Sequence, residues 1–309
     1  MEFFHLDTHI DFMRIRFVTA LMSAALCFIS LFSLFYHGLN WGLDFTGGIV
    51  VELEYPQDAN LSQIRTQLRG AHYEDAIVQS FGSTRSVMVR LAPRAGVTEQ
   101  AVAEEILTVL KRLEAHVELR RVDAVGAQVG RELAEQGWLA IGVALLAIMI
   151  YIGLRFELRF ALSAAVALAH DPILILGIFS FYQIEFDLTT LAAILAVIGY
   201  SLNDTIVVFD RVKENFITLR RANTIEVVNS AINQTLSRTI MTSCMTLFVV
   251  VALLLFGGPT LFGFSIALVV GIVIGTYSSI YVAGALAVAL GLKKADLVPS
   301  KDHAVDALP

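Results

Sequence analysis

Charged side chains are scarce in this sequence. They make up 16% of its 309 residues, whereas a soluble domain carries about 25%. Hydrophobic residues make up 56%, so the composition argues against an ordinary soluble enzyme and for a chain set in lipid. Positive charge is the scarcer sign: 22 Lys and Arg against 28 Asp and Glu give a formal net charge of -6. That deficit argues against nucleic acid, whose phosphates want a basic face. Cysteine is nearly absent. Cys27 and Cys244 both fall in apolar stretches, which leaves no disulfide framework and no CxxC metal pattern. Small buried packing is the role expected of them, and no pattern calls for a cofactor.

Long apolar runs are what the chain has in abundance. Six are read, at 17–36, 138–154, 160–182, 188–209, 239–256 and 261–290. Most approach the roughly 20 residues that cross a bilayer as helix, and the last is long enough to tilt or project. Only Gly257, Gly258, Pro259 and their neighbours separate the last two, so these form a tight helical hairpin. The first run is too long for a signal-peptide core and lacks a small-residue cleavage site, which makes it an uncleaved anchor.

The basic residues orient these spans. Arg14 and Arg16 precede the first, Arg155 and Arg159 separate the second and third, and Arg211, Lys213, Arg220, Arg221 and Arg238 lie between the fourth and fifth. Lys293, Lys294 and Lys301 follow the sixth, while the short segments 183–187 and 257–260 carry no Lys or Arg. By the positive-inside rule both termini are cytoplasmic. The expected organisation is a cytoplasmic N-terminus (1–16), a first helix (17–36), an outer domain (37–137), helices two to six (138–292) and a cytoplasmic tail (293–309).

The segment 37–137 has the periodicity of a soluble α+β domain. Residues 49–55 alternate as a strand with Val51, Leu53 and Tyr55 on one face. Asn60 caps a short helix with Leu61, Ile64 and Leu68 inward and Gly70 as its stop. Two strands follow at 76–81 and 86–91, joined through Gly82, Ser83 and Thr84, the second with Val87, Val89 and Leu91 alternating. Thr98 caps a longer helix with Val102, Ile106, Val109, Leu110 and Leu113 inward, and 117–122 supplies a fourth strand. The order β-α-β-β-α-β is that of the ferredoxin-like split fold. His72, Glu74, Asp75, His116 and Glu118 near the tip of the sheet read as solvated surface rather than as a metal site.

Against this apolar background, Asp204 stands near the end of the run 188–209, beside Asn203. A carboxylate there costs roughly 3 kcal/mol on insertion scales and survives where it faces a bundle interior or a water-filled path, paired or able to take a proton. Tyr200, Asn203, Asp204, Val207 and Arg211 share one helical face, with Ser201 and Thr205 beside them. Six residues before Asp210, Asp204 lies roughly 9 Å inside the membrane, in the cytoplasmic half. The fifth span offers a second polar stripe, Thr235, Arg238, Thr242 and Thr246. Read from the residues alone, Asp204 also fits a helix–helix hydrogen bond and Arg238 a positive-inside anchor.

Two further features interrupt the spans. In the third, His170 and Asp171 precede Pro172, which removes a backbone donor, so both side chains also fit a role in satisfying the freed backbone. In the sixth, Gly271-x-x-x-Gly275 followed by Ser278 and Ser279 is a small-residue packing face.

Five segments carry a family resemblance: GLDFTGG at 42–48, VGAQVGRELAEQG at 125–137, ALAHD at 167–171, GYSLNDTIVVFDRVKEN at 199–215 and LSRTIMTS at 236–243. Together they resemble the SecF family of bacterial protein-export subunits, a branch of the SecD/SecF group within the resistance-nodulation-division superfamily. The resemblance runs from the first span to Lys294. It implies a polytopic α-helical protein, a six-helix half-bundle with a ferredoxin-like periplasmic domain between helices 1 and 2, in the bacterial inner membrane. It implies no nucleotide site, no cofactor and no catalysis, and a role in using the proton-motive force late in export. Carried over by position, the proton-conducting aspartate falls on Asp204 and the functionally important arginine on Arg238. Asn203, Thr205, Asp171, His170, Asp210 and Arg211 are secondary candidates. The partners implied are SecD, the SecYEG channel, YajC and the translocating unfolded polypeptide, with membrane lipid around the helices. Two other readings are a proton antiporter for small solutes and an intramembrane aspartyl protease using Asp171 and Asp204. The second lacks the GxGD context, since Ser201, Leu202 and Asn203 precede Asp204.

Overall fold

The computed structural model of the chain describes residues 9–92, 98–219 and 221–292. Arg220, Lys293, Lys294, Lys301 and the tail 293–309 lie outside them. A 3-10 turn, Phe12–Ile15, leads into helix α1, Arg16–His37. A two-residue strand β1, Asn40–Trp41, and a one-turn helix α2, Leu43–Thr46, then bring the chain to the first long strand, β2, Gly48–Glu54. Gly47 at φ 65° and Gly48 at φ 127° make this entry possible, because side chains with a Cβ avoid such backbone.

Helix α3, Leu61–Gly70, strands β3, Ile77–Phe81, and β4, Ser83–Leu91, helix α4, Glu99–Lys111, and strand β5, Glu118–Val125, complete the α+β domain. Every adjacent pair is antiparallel, in the order β3-β4-β2-β5, so the expected split topology is present. Its core is the alternating set from the two central strands: Ile49, Val51 and Leu53 face Val87, Val89 and Leu91, all buried. Ile64, Leu68, Val102, Ile106 and Leu110 close one face of the sheet. Asn60 accepts from the Ser62 and Gln63 amides, and Thr98 from the Ala101 amide, as N-caps should.

Two local expectations are corrected. Gly70 is the last helical residue of α3, and the left-handed position that breaks the path falls on His72, φ 63°. Leu113 is exposed, because α4 ends at Lys111 and the following turn carries it away from the core. Tyr55, at the end of β2, is buried, and desolvation pushes its phenol up to about 12, with the nearby Glu114 carboxylate adding to the effect.

Five long helical segments follow: α5, Ala127–Arg155; α6, Leu158–Tyr182; α7, Leu188–Thr218; α8, Thr224–Phe256; and α9, Phe262–Ser278, which runs through a π-helical turn, Ser279–Ala283, into α10, Gly284–Ala289. A strand β6, Glu185–Phe186, lies between α6 and α7. With α1, these make six spans long and apolar enough to cross a membrane among the described residues. The helices overrun the apolar runs. α5 starts well before residue 138 and α8 well before residue 239, because Gly126 opens the first and an Asn223–Glu226 capping box opens the second. Gly258, φ 74°, turns the chain between α8 and α9, forming the expected hairpin.

The domain is seated on one end of the bundle. β1 pairs in parallel with β6, Asn40 opposite Glu185 and Trp41 opposite Phe186. Asp44 accepts from the Leu188 amide at 3.0 Å and so caps α7. A Cβ at Gly130 on α5 would stand 2.9 Å from the Gly47 amide, so the glycine lets α5 lie directly on the GLDFTGG turn. Trp41, Phe45, Trp138, Phe179 and Phe186 pack edge to face or stacked around this joint. From the sheet, Arg90 reaches down to the Trp41 carbonyl and to Glu185, at 2.6 Å each. Burial raises the Glu185 carboxyl above the usual carboxylate range; Arg90 offsets part of that, and Asp187 and Asp44 add to it. Desolvation therefore outweighs the ion pair.

Candidate functional site

The polar residues of the spans converge where α6, α7, α8 and α9 meet. α7 is central, because its small and β-branched side chains admit close neighbours. A Cβ at Gly271 would overlap Val197, and one at Gly275 would stand 3.0 Å from Ser201 Cβ, so the small-residue face of α9 is an internal contact with α7. Across the bundle, a Cβ at Gly177 of α6 would overlap Ser30 of α1. These approaches leave no room for lipid or bulk water, and the remaining polar groups must satisfy one another.

Most of them do so around two carboxylates, while His170 Nε2, Thr190 Oγ1 and Ser265 Oγ are buried without a partner. Asp204 of α7 is half-buried and accepts from Thr239 Oγ1 of α8 and Ser279 Oγ of the π-helical turn, each at 2.5 Å. Asp171 of α6 is fully buried. Its Oδ2 accepts from Ser201 Oγ at 2.5 Å and Ser278 Oγ at 2.9 Å, and its Oδ1 pairs with His170 Nδ1 at 2.9 Å. Each carboxylate thus has its own pair of hydroxyls on two other helices or turns. Ser278 and Ser279 are consecutive, one on each carboxylate. Around them, Tyr200 donates to Ser243 at 3.3 Å and Ser243 pairs with Thr276 at 2.7 Å.

The sequence-derived candidates fare differently. Asp204 lies in the interior as its cost in lipid requires. Thr205 is buried and returns its hydroxyl to the Ser201 carbonyl, while Asn203 is exposed. Asp210 is paired with Arg155 at 2.6 Å and Arg211 with Glu214 at 2.9 Å, both at the far end of α7 from the domain. His170 and Asp171 do not serve the backbone that Pro172 frees; Asp171's three partners are side chains.

Arg238 takes the place of a positive-inside anchor. It is exposed on α8 and forms no ion pair with Asp204 or any other described carboxylate. Thr239, one residue on, takes the place beside Asp204, since a helical step of about 100° separates the two directions. The polar stripe expected on α8 is only partly buried: Thr235, Thr242 and Thr246 return their hydroxyls to their own helix, and Thr235 lies with Thr239 and Ser243 on the buried face. Cys244 is exposed and Cys27 half-buried, so buried packing is not the role of Cys244. Thr239, Ser201 and Ser278 with Ser279 are the residues sequence reasoning left out of the site or assigned to packing alone. The ion-handling chemistry available is proton uptake on carboxylates held by hydroxyls; among the described residues no three His, Cys, Asp or Glu converge as a metal site.

Comparison with known proteins shows the family. Residues 105–293 match the family model described as protein export membrane protein SecD/SecF, C-terminal, and residues 32–59 match the SecD/SecF GG motif. The chain is 51% identical over 292 residues to the protein translocase subunit SecF of Pseudomonas aeruginosa, covering 94% of each chain. It is 44% identical over 293 residues to that of Escherichia coli O157:H7, covering 94% of this chain and 91% of the relative. The crystal structure of SecDF, a translocon-associated membrane protein from Thermus thermophilus, matches with a TM-score of 0.84 at 35% identity over 93% of this chain. This chain spans 39% of that longer one. A SecDF structure in a super-membrane-facing form matches with a TM-score of 0.68 at 34% identity and the same coverage. The GG motif is the turn on which the domain is seated, and the longer match takes in both carboxylates and their hydroxyl donors: the chain belongs to the SecD/SecF family of protein-export membrane proteins.

Proposed function

We propose that this chain is the SecF-type subunit of a protein translocase, and that it couples the proton-motive force to late steps of export through protonation of Asp204. The observation that carries the reading is the environment of Asp204: a half-buried carboxylate on two hydroxyls from two other segments, with no Lys or Arg paired to it among the described residues. A carboxylate so placed changes its demand on both neighbours when it takes a proton, because a neutral carboxyl accepts less strongly and donates in its turn. Each charge crossing a potential of about 100 mV releases roughly 2.3 kcal/mol, enough to bias the arrangement of three helices.

The same reading places both termini in the cytoplasm and the α+β domain in the periplasm of a bacterial inner membrane. It is supported by the grouping of Arg155, Arg159 and Arg211 at the end away from the domain. A SecD-type bundle covers the exposed faces, and the SecYEG channel, YajC and the translocating polypeptide are the further partners. The chain has no catalytic site of its own in this reading. A shared-proton dyad is disfavoured because Asp171 and Asp204 hold separate serines and do not bond each other. A small-solute antiporter finds no support among relatives named as translocase subunits.

The test is export into inverted membrane vesicles with and without a proton gradient. Asp204→Asn keeps the shape and removes the titration, so gradient-stimulated export should vanish while gradient-independent export continues. Full stimulation in Asp204→Asn would remove the residue from the proton path.

A further inference from the structure

His170 carries a buried atom that nothing in the fold explains. The residue is 5% exposed, and its Nε2 has no hydrogen-bond partner. Asp171, as a carboxylate, can only accept, so Nδ1 carries the hydrogen that bonds it and Nε2 of the neutral ring is left with a bare lone pair. An orphaned acceptor in a bundle interior is costly, whereas a lone pair that periodically takes a proton has a reason to be there.

We propose that His170 and Asp171 form a second proton-binding site, coupled to Asp204 through Ser278 and Ser279. The proposal rests on the reading of Asp204 as a proton-binding residue and extends it. The step balances simply. A proton arrives on Nε2 and the Nδ1 proton passes to Asp171 Oδ1, leaving a neutral ring of the other tautomer and a neutral carboxyl. The pair has gained one proton and lost one negative charge. The groups around it are Tyr277 of α9, whose ring lies 6.3 Å from that of His170; Cys27 of α1, within electrostatic reach of Asp171; and Asp204 on α7. No Lys or Arg pairs with either residue among the described residues, so hydroxyls and the imidazole are all that offset the charge.

The coupling lies in the π-helical turn. Ser278 donates to Asp171 and Ser279 to Asp204, and consecutive residues cannot move independently. A π turn carries an extra residue per turn and is often found at functional sites. Protonation of Asp171 weakens its hold on Ser278 and Ser201, and Ser201 sits one helical turn before Asp204 on α7. The two carboxylates thus compete for one short stretch of α9 and one face of α7.

Infrared difference spectroscopy after a pH step reads this directly in the complex reconstituted in liposomes, since each protonated carboxyl adds a C=O stretching band. The wild type should show a band that Asp171→Asn removes and a separate one that Asp204→Asn removes. An unchanged spectrum in Asp171→Asn overturns the second site, whereas an unchanged spectrum in Asp204→Asn overturns the proton role of Asp204 and with it the coupling. His170→Gln keeps Asp171 and leaves the ring's proton route closed: the Asp171 band should shift and rise more slowly, and an unshifted band with wild-type kinetics overturns the pairing. If Asp171→Asn does not accumulate, that second variant alone decides.

Discussion

A carboxylate survives in a membrane span only if its surroundings give it something to do or something to hold. Asp204 has both Thr239 and Ser279 at 2.5 Å, and hydrogen bonds to a charged group contribute about 1.5–3 kcal/mol each, or roughly tenfold or more in an equilibrium. Thr239→Val removes one donor at constant shape, and Thr239→Ser keeps it. Gradient-stimulated export should fall roughly tenfold in the first and stay near wild type in the second. Equal rates in the two would show that the hydroxyl is idle. Asp204 was legible in the sequence because a charge in lipid is rare. Thr239 was not, because Ser and Thr are common in membrane helices and mostly bond their own backbone, as Thr235, Thr242 and Thr246 do here. Arg238 was legible as a residue, and its outward place on α8 fits the positive-inside anchor that the residues alone suggest.

The elements show the same division. Strand alternation and helix caps in the α+β domain were readable, and the central strands bury the residues that alternate. The helix lengths were not, because hydropathy marks where lipid begins and not where the backbone stops being helical; α8 runs from its Asn223 cap through fifteen residues before the apolar run. The short β1–β6 ribbon was invisible, since two residues hold no periodicity. Nor does a π turn announce itself: Gly271, Gly275, Ser278 and Ser279 read as packing, and only the geometry separates the glycines, which let α7 approach, from the serines, which hold the carboxylates. Gly271→Ala should therefore act on the bundle rather than on the chemistry. Its methyl would overlap Val197, an overpacking that costs about 1–3 kcal/mol. Thermal unfolding of the purified protein should show a lower midpoint, and Val197→Ala in the same chain should restore most of it. A double variant no more stable than Gly271→Ala would mean that the strain lies elsewhere.

At the scale of the molecule, the burial is uneven. The windows of α6 and α7 are 56% and 50% buried, whereas those of α5 and α8 are 11% and 17%, and Arg238 and Asn203 stand on the uncovered side. Polar groups facing lipid are costly, so these faces belong against a second bundle, in keeping with a SecD-type partner. The domain sits on this chain's own bundle at the GLDFTGG joint and its aromatic cluster; away from that joint it is tied by Arg90 with Glu185 and by the tip of the β3–β4 hairpin, where an added Cβ at Gly82 would stand 2.5 Å from Pro259 Cγ. Beside them lies a cleft of about 1050 Å3 between the open face of the sheet, at Val50, Glu52 and Met88, and the loops of the bundle. If export requires the domain to move over the bundle, fixing the hairpin tip to the α8–α9 loop should stop it. The Cβ built on Gly82 lies 3.3 Å from Pro259 Cβ, close to the roughly 3.5–4.5 Å of a disulfide. Gly82→Cys with Pro259→Cys, in a chain whose Cys27 and Cys244 are replaced by alanine, should cross-link on oxidation. Membrane insertion should be normal, gradient-stimulated export should be lost in the oxidised form, and a thiol reductant should restore it. Undiminished export by the cross-linked protein would show that motion across this contact is not part of the cycle.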